Sequence, residues 1–425
     1  MLHSKRMLSL LLLAAMLTAC ACGSSDAPVS DTTASDGDNT TTAPETSEYV
    51  NPGVDYKGET FTILDYQTDD YFWQAASYSD IHAEEENGDP INDAQYKRNR
   101  AVEEALNIKL ETYPVGGVSR GNNGNELRKF ILADDDTIDA GFVFGSNMRS
   151  LLAEPGLLIN IDEVPTLNYD ASWWDQKAIE TLSFDGKFKA ITGDVSLYRA
   201  FSPMLYFYNK NVAKMYRIDN CYDLVREGKW TFDVLYDYSR TVATDLNGDS
   251  KMDENDRFGT ALQTTLVADM LMSAGERFTQ FNNDGDLELV LGTERANDVV
   301  DSYVTFINDI LVNNQAQQFS GKYSNVFFEL HIPMFKNDQL LFNYQQLLIS
   351  FDLRAMETDY GLLPTPKYDE QQKDYCTTIS NSFITYLVIP ATNSRLDMTG
   401  HVMDALGYYS QQYVTPAYID TTVRS

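Results

Sequence analysis

Between Phe61 and Phe144 the chain alternates short apolar runs with helical patterns, and this order constrains the fold more than any other feature. Phe61-Thr62-Ile63-Leu64 reads as a strand. Asn92 is placed to cap the next helix, with Gln95 in the capping-box position, and Ala94, Ala101, Val102, Ala105 and Leu106 recur at the helical period. Asn107 ends that helix, and Ile108-Lys109-Leu110-Glu111-Thr112-Tyr113 alternates as a second strand. A helix around Glu126–Ala133 leads into a third strand, Ile138 to Phe144. Parallel strands need a crossover that a helix supplies, so the βαβαβ order predicts an α/β domain with a largely parallel sheet. Ligands of such sheets sit beyond the carboxyl ends of the strands, here near Asp65–Trp73 and Gly145–Asn147.

A second α/β stretch starts around Leu205-Tyr206-Phe207-Tyr208 and continues to Asn343. Within it, Phe281–Val290, with Asn283-Asp284-Gly285 at its turn, predicts a hairpin. Ahead of both stretches, Met7 to Ala19 is apolar behind His3, Lys5 and Arg6. At that length it is too short to span a bilayer, which takes about 20 residues, and it reads as a signal-peptide core over residues 1–19. It ends in Leu17-Thr18-Ala19-Cys20, which looks like a bacterial lipobox and makes Cys20 the expected lipidation site, with Cys22 as the weaker alternative. Gly23 to Glu48 holds mostly Ser, Thr, Asp, Gly, Pro and Ala, and no Lys or Arg. It cannot bury enough surface to offset its ordering entropy, so residues 20–52 are expected to be an anchor and flexible tether.

Several segments then resemble one family in order and spacing. Tyr206-Phe207-Tyr208-Asn209-Lys210 is similar to the strand–YNK–helix step of extracellular solute-binding proteins (family 1) of carbohydrate ABC transporters. Gly186-Lys187-Phe188-Lys189-Ala190-Ile191-Thr192-Gly193-Asp194 resembles their first inter-lobe crossing, and Asp338-Gln339-Leu340-Leu341-Phe342-Asn343-Tyr344 their second. Tyr360-Gly361-Leu362-Leu363-Pro364-Thr365-Pro366 looks like their YG-x-L-P-x-P segment, followed by Val388-Ile389-Pro390. Ile91-Asn92-Asp93-Ala94 with Arg98-Asn99, and Trp173-Trp174-Asp175, resemble a lipoprotein subgroup. The resemblance runs from about Gly53 to the C-terminus. It implies an α/β, two-lobe periplasmic-binding-protein-like fold (type II) with hinge crossings, closing on a ligand. Lobe one is then expected over 53–192, with 345–415 returning to it, and lobe two over 193–344 with 416–425. The family adds further helices to lobe two, so the end at Ser425 implies a shortened lobe.

Sugar sites use flat rings to stack on sugar faces and carboxylates or amides to hold hydroxyls. On the implied fold, Trp73, Trp174, Tyr206, Tyr208 and Tyr344 would face the cleft, with Asn147 after a strand and Asp194 in the first crossing. Trp173 and Trp174 are adjacent, so on an extended strand only one could point at a ligand. Trp230, in Gly228-Lys229-Trp230-Thr231-Phe232, reads as a packing residue at a helix entry.

The densest local chemistry is Asp245 to Asp256. Oxygen side chains of Asp245, Asn247, Asp249, Asp253 and Asp256 fall at positions 1, 3, 5, 9 and 12, and Lys251 offers its carbonyl at position 7. That spacing predicts a structural Ca2+ site. Ser250 stands where an EF-hand places Gly, and the terminal Asp256 looks more like a dockerin-type loop. The alternative is an acidic Asn-Gly turn without metal.

Catalytic readings have less support. His3, His82, His331 and His401 show no metal spacing. Gly116-Gly117 and Gly121-Asn122-Asn123-Gly124 lack a P-loop lysine, and the carboxylate pairs that glycoside hydrolysis needs arise by chance in so acidic a chain. Cys221 and Cys376 are left open between a disulfide and two thiols. The formal charge of −31, from 63 Asp+Glu against 32 Lys+Arg, repels phosphate backbones and excludes nucleic acid as a partner. The expectation is a non-enzymatic, lipid-anchored protein on the outer face of the bacterial cytoplasmic membrane. It would bind a sugar or oligosaccharide and pass it to ABC permease subunits. Its rivals are a secreted carbohydrate-active enzyme and a glycan-binding lipoprotein without a transporter.

Overall fold

The computed structural model describes residues 47–66, 78–116, 122–184, 186–282 and 287–422. The expected leader, Cys20, most of the expected tether and Trp73 lie outside them. The strands are β1 (Glu59–Tyr66), β2 (Ile108–Val115), β3 (Ala140–Phe144), β4 (Met204–Asn209), β5 (Phe258–Leu262), β6 (Thr279–Phe281), β7 (Leu287–Leu289), β8 (Asn313–Gln315), β9 (Leu340–Gln346), β10 (Tyr360–Leu363) and β11 (Thr385–Val388).

One sheet has the order β11-β3-β1-β2. β1 runs parallel to β2 in unbroken register from Glu59↔Ile108 to Tyr66↔Val115, and parallel to β3, while β11 closes the edge antiparallel. The other sheet has the order β10-β4-β9-β5-β8, with β8, β5 and β9 parallel and β4 antiparallel to both its neighbours. β6 and β7 pair as the expected antiparallel hairpin. Each sheet is covered on both faces. Phe61, Phe142 and Trp174 belong to one core of the first sheet and Leu64, Val143 and Leu151 to the other. Tyr206, Tyr344 and Trp230 lie on one side of the second sheet, and Phe207, Phe258 and Phe335 on the other. A fifth cluster joins the lobes, bringing Tyr66 and Phe144 at the ends of β1 and β3 against Leu205, Leu347 and Phe351.

The helix Pro90–Leu106 starts earlier than its apolar pattern indicates. Asp89 is the cap, accepting from the backbone N–H groups of Ile91 and Asn92 at 2.9 Å, and Pro90 occupies the first turn, where a missing N–H costs nothing. Asn107 ends it in the left-handed conformation, φ 47°. Gln95 caps nothing: it is buried and donates to the carbonyls of Ser79 and Asp80.

Two boundaries differ from the expected division. β10 pairs with β4, and Tyr368 and Tyr375 pack on the second lobe's core, so the chain returns to the first sheet at β11 and not at Gln345. The helix Thr415–Thr422, expected with the second lobe, packs against the helix Pro90–Leu106 and places Tyr418 in the joining cluster. The crossings that connect the lobes, residues 194–203 outgoing and 376–384 returning, run side by side. Met204 donates to the Thr378 carbonyl and Ser380 to that of Ser202, both at 2.9 Å.

Candidate functional site

The parallel strands of each sheet end on one edge: β1, β2 and β3 at Tyr66, Val115 and Phe144, and β5, β8 and β9 at Leu262, Gln315 and Gln346. The joining cluster holds the two edges together through Tyr66, Phe144 and Leu347. Among the described residues, amide and hydroxyl groups stand just beyond these strand ends. Gln263, Thr264 and Thr265 come directly after β5, and the Thr264 N–H donates to Gln317, just past β8, at 3.1 Å. Gln346 at the end of β9 donates to Ser380 on the returning crossing at 3.4 Å. The next residue, Asn381, lies over Gly145 so closely that a Cβ there would fall 2.2 Å from its Oδ1. Gly145 is therefore required by a close approach. Gln346, Ser380, Asn381 and Gly145 form a continuous uncharged line from the second lobe to the first.

A cavity of about 510 Å³ opens beside Gly145 and Asn381, lined also by Met148, Arg149, Leu182, Ala190 and Tyr386. It combines a half-buried ring, a guanidinium and an amide, the group types that stack on and hydrogen-bond a polyhydroxylated ligand. Burial pushes the Tyr386 phenol up to about 12, so it is a neutral donor at physiological pH. A second cavity, about 240 Å³, lies under the segment 47–52 beside Trp173, His401 and Asp404. That segment is fastened to the first lobe by reciprocal Ser47–Ser172 hydrogen bonds of 3.0 and 2.8 Å and by Tyr49 stacked on Tyr408.

Most residues expected to read sugar serve the fold instead. Trp174 is 1% exposed. Both Trp173 and Trp174 are in the core because Ala171–Trp174 is a turn (Trp174 N–H to the Ala171 carbonyl, 3.1 Å), so strand alternation does not apply. Their indole N–H groups share Asp404 Oδ1 at 3.2 Å each. Tyr206 and Tyr344 are fully buried with ring centroids 4.6 Å apart, and Tyr208 lies in the same core. β4 and β9 are inner strands of a sheet covered on both sides, so neither side of their alternation reaches a cleft. Burial raises the Tyr206 and Tyr208 phenols and pushes Tyr344 up to about 12. Asp194 accepts from Thr415 at 3.0 Å and Gln411 at 3.1 Å, tying the outgoing crossing to the C-terminal helices, and burial holds its carboxyl above the usual range. Asn147 alone of the described set stays near the rim, half-buried in the first turn of the helix Gly145–Leu152, with Nδ2 donating to Ser146 at 3.3 Å. Trp230 packs as expected, fully buried, its indole N–H donating to the Pro364 carbonyl at 2.8 Å.

Gln263, Gln346, Asn381 and Tyr386 were not singled out from sequence. Counting past each strand's carboxyl end finds the first two. Asn381 and Tyr386 carry no local signal, because the returning crossing places them.

The acidic loop 245–256 is closed at its base by backbone bonds of 2.9 and 3.0 Å between Thr244 and Arg257. Its carboxylates serve its own backbone. Asp245 accepts from Gly248 (2.7 Å) and Ser250 (2.8 Å), and Asp249 from Lys251 (2.9 Å). Asp253 accepts from Asn255 (2.8 Å), and Asp256, which is buried, from Leu246 (2.8 Å) and Asp253 (2.9 Å). The Asn247 side chain accepts from Asp249 at 2.9 Å. Ser250 takes a positive φ of 65°, the conformation an EF-hand assigns to Gly. Among the described residues no three acidic, His or Cys side chains converge as metal ligands. Cys221 and Cys376 do not form a disulfide with each other.

No protein-family model matches the sequence, and no curated protein is significantly similar to it. Solved structures do share its fold. An ABC substrate-binding protein from Listeria monocytogenes in complex with cycloalternan aligns with a TM-score of 0.54 at 14% identity, covering 86% of this chain and 79% of that one. UspC of M. tuberculosis aligns with a TM-score of 0.55 at 15% identity, covering 85% and 84%. The GacH receptor of Streptomyces glaucescens, solved unliganded and with acarbose, aligns at 0.53 and 12% identity, covering 87% and 83%. The architecture is thus the α/β, two-lobe periplasmic-binding-protein-like fold.

Proposed function

We propose that this chain is a lipid-anchored, extracellular solute-binding protein that captures a carbohydrate between its two lobes and hands it to an ABC permease. Binding and closure are its whole mechanism; no bond is made or broken. The observation that carries the reading is the uncharged line Gln346–Ser380–Asn381–Gly145 across the lobes, beside a cavity containing Tyr386 and Arg149. A neutral, hydroxyl-rich ligand suits amides that both donate and accept. Further support comes from the fold, shared over most of this chain with binding proteins solved with cycloalternan and acarbose.

A thermal-shift screen of mono- and oligosaccharides tests this. At least one sugar is expected to raise the unfolding midpoint. Asn381→Ala is then expected to weaken that sugar about 5–10-fold, the worth of a hydrogen bond of roughly 1–1.5 kcal/mol. Release of reducing ends from a glycan would favour the enzyme reading instead. The anchor is tested separately: Cys20→Ser is expected to abolish palmitate labelling and release the protein into the medium, and unchanged retention would remove the anchor.

Calcium at 245–256 is a structural part of the proposal. It is supported by the oxygen spacing and by the turn at Ser250. Binding would require Asp245, Asp249 and Asp253 to turn from the backbone N–H groups they serve. Adding Ca2+ to EDTA-treated protein is expected to raise the unfolding midpoint, since an ion at 100 times its Kd contributes about 2.7 kcal/mol. An unchanged midpoint would remove calcium from the account.

A further inference from the structure

We infer that Asp80 is a clasp between the two chain crossings, and that it makes the resting separation of the lobes depend on pH. The inference rests on the two-lobe binding reading. Asp80 is fully buried. Its Oδ1 accepts the Leu197 N–H on the outgoing crossing at 2.6 Å, and its Oδ2 accepts the Thr385 hydroxyl, where the returning crossing enters β11, also at 2.6 Å. Ser196 and Thr385 share a hydrogen bond of 2.5 Å, and the Thr192 hydroxyl donates to the Thr385 carbonyl at 3.0 Å. One carboxylate thus fastens both connections at the place where relative motion of the lobes must bend the chain.

The charges around it are unbalanced. Asp65 on β1 is 1% exposed and held by Ser79, the Tyr66 N–H (2.9 Å) and the Ile81 N–H (3.0 Å). Arg98, fully buried in the helix Pro90–Leu106, donates to Asn99, Ser410 and the Ile81 carbonyl. Two ionised carboxylates with one guanidinium leave a net negative charge in the interior, whereas one shared proton leaves none. The remaining charged neighbours do not offset this. His82 acts on Asp65 from an exposed position, Arg199 is turned to Asp175 at 2.7 Å, and Asp194 is held by Thr415 and Gln411. Residues 377–388 carry no charged side chain.

Burial, and then Asp65, raise the Asp80 carboxyl to about 7. A folded value above the unfolded one, about 3.9, gives a contribution to stability that is full below pH 4 and is lost as pH rises through 7. Protonated, Asp80 keeps both contacts, its carbonyl oxygen accepting from Leu197 and its hydroxyl serving Thr385. Ionised, it gains by admitting water, which loosens the pairing of the crossings.

Small-angle X-ray scattering of the full chain without sugar, between pH 5.5 and 8.5, tests the clasp, with far-UV circular dichroism confirming that the fold persists. The radius of gyration is expected to rise with a midpoint near pH 7. Asp80→Asn is expected to abolish the response, and His82→Gln to leave it. Thr385→Val is expected to shift the midpoint upward, because the hydroxyl it removes stabilises the ionised form. A wild-type radius equal at both ends of the range overturns the clasp, as does a response that survives in Asp80→Asn. Should Asp80→Asn not fold, an unshifted midpoint in Thr385→Val has the same force. No sugar is present, so a failed sugar screen leaves this result standing, and a successful one cannot rescue it.

Discussion

Replacing Trp174 by alanine is expected to destabilise the protein by about 3–5 kcal/mol, the range for removing a large aromatic side chain from a packed core. The side chain is 1% exposed, within the core that also holds Phe61, Val102, Phe142 and Trp173. Relaxation around it is limited, because a Cβ at Gly193 would already lie 2.1 Å from the Trp173 carbonyl and 3.0 Å from Trp174 Cα. The ring also has a polar role. Asp404 Oδ1 takes both indole N–H groups and Oδ2 takes the Asn168 N–H at 2.8 Å, so one carboxylate organises three donors. Trp174→Phe keeps most of the volume but loses the indole N–H and part of the ring, and is expected to cost about 1–2 kcal/mol, well below the alanine replacement. Urea unfolding with tyrosine circular dichroism measures both. A ring serving mainly as a sugar platform would give the opposite pattern, with stability unchanged and affinity lost.

The second large effect is expected at Arg395. Its Nη2 lies 2.6 Å from each oxygen of Asp139 and its Nε 3.1 Å from Oδ1, and Nη2 also donates to the Thr60 carbonyl. Asp139 is 1% exposed and accepts the Thr62 N–H at 2.8 Å, so the pair pins the segment after β11 to the start of β1. Arg395→Met leaves that carboxylate buried without its partner. The expected loss at pH 7 is about 2–4 kcal/mol, below the full range for buried pairs because the arginine side chain is a third exposed. Burial already holds the Asp139 carboxyl above the usual range. Without Arg395 it protonates more readily, so the loss should shrink as pH falls towards 4.5. Adding Asp139→Asn should recover part of the loss, since the two positions form one interaction. Equal midpoints for wild type and Arg395→Met at pH 7 would show that the pair contributes nothing.

How far the sequence could be read depended on whether a feature was local. β1, β2 and β3 and their helices were legible because period-2 and period-3.6 patterns report burial within a few residues. The hairpin β6–β7 was legible for the same reason. The start of the helix Pro90–Leu106 lies three residues before the expected one because Asp89-Pro90 carries the stronger cap chemistry. The assignment of residues 345–384 failed for a non-local reason. β10 has the length and composition of any short strand, and only its antiparallel register with β4 places it in the second sheet.

The candidate site divides the same way. Aromatic side chains near expected crossings looked like platforms, yet Trp174, Tyr206 and Tyr344 are the largest available fillers for cores that two covered sheets must pack. Chain chemistry alone cannot separate a ring that stacks on a sugar from one that packs against another ring, as Tyr206 does against Tyr344. By itself the sequence determined that this is an α/β chain with a strongly negative net charge and an apolar run near its N-terminus, and it directed attention to the carboxyl ends of its strands. Only the tertiary structure decided which residues stand there. Asn381 and Tyr386 reach that edge through pairings between segments far apart in the chain, and the same folding buries the carboxylate of Asp80 between the two crossings. Burial and register depend on the whole path of the chain, so no local pattern could have revealed them.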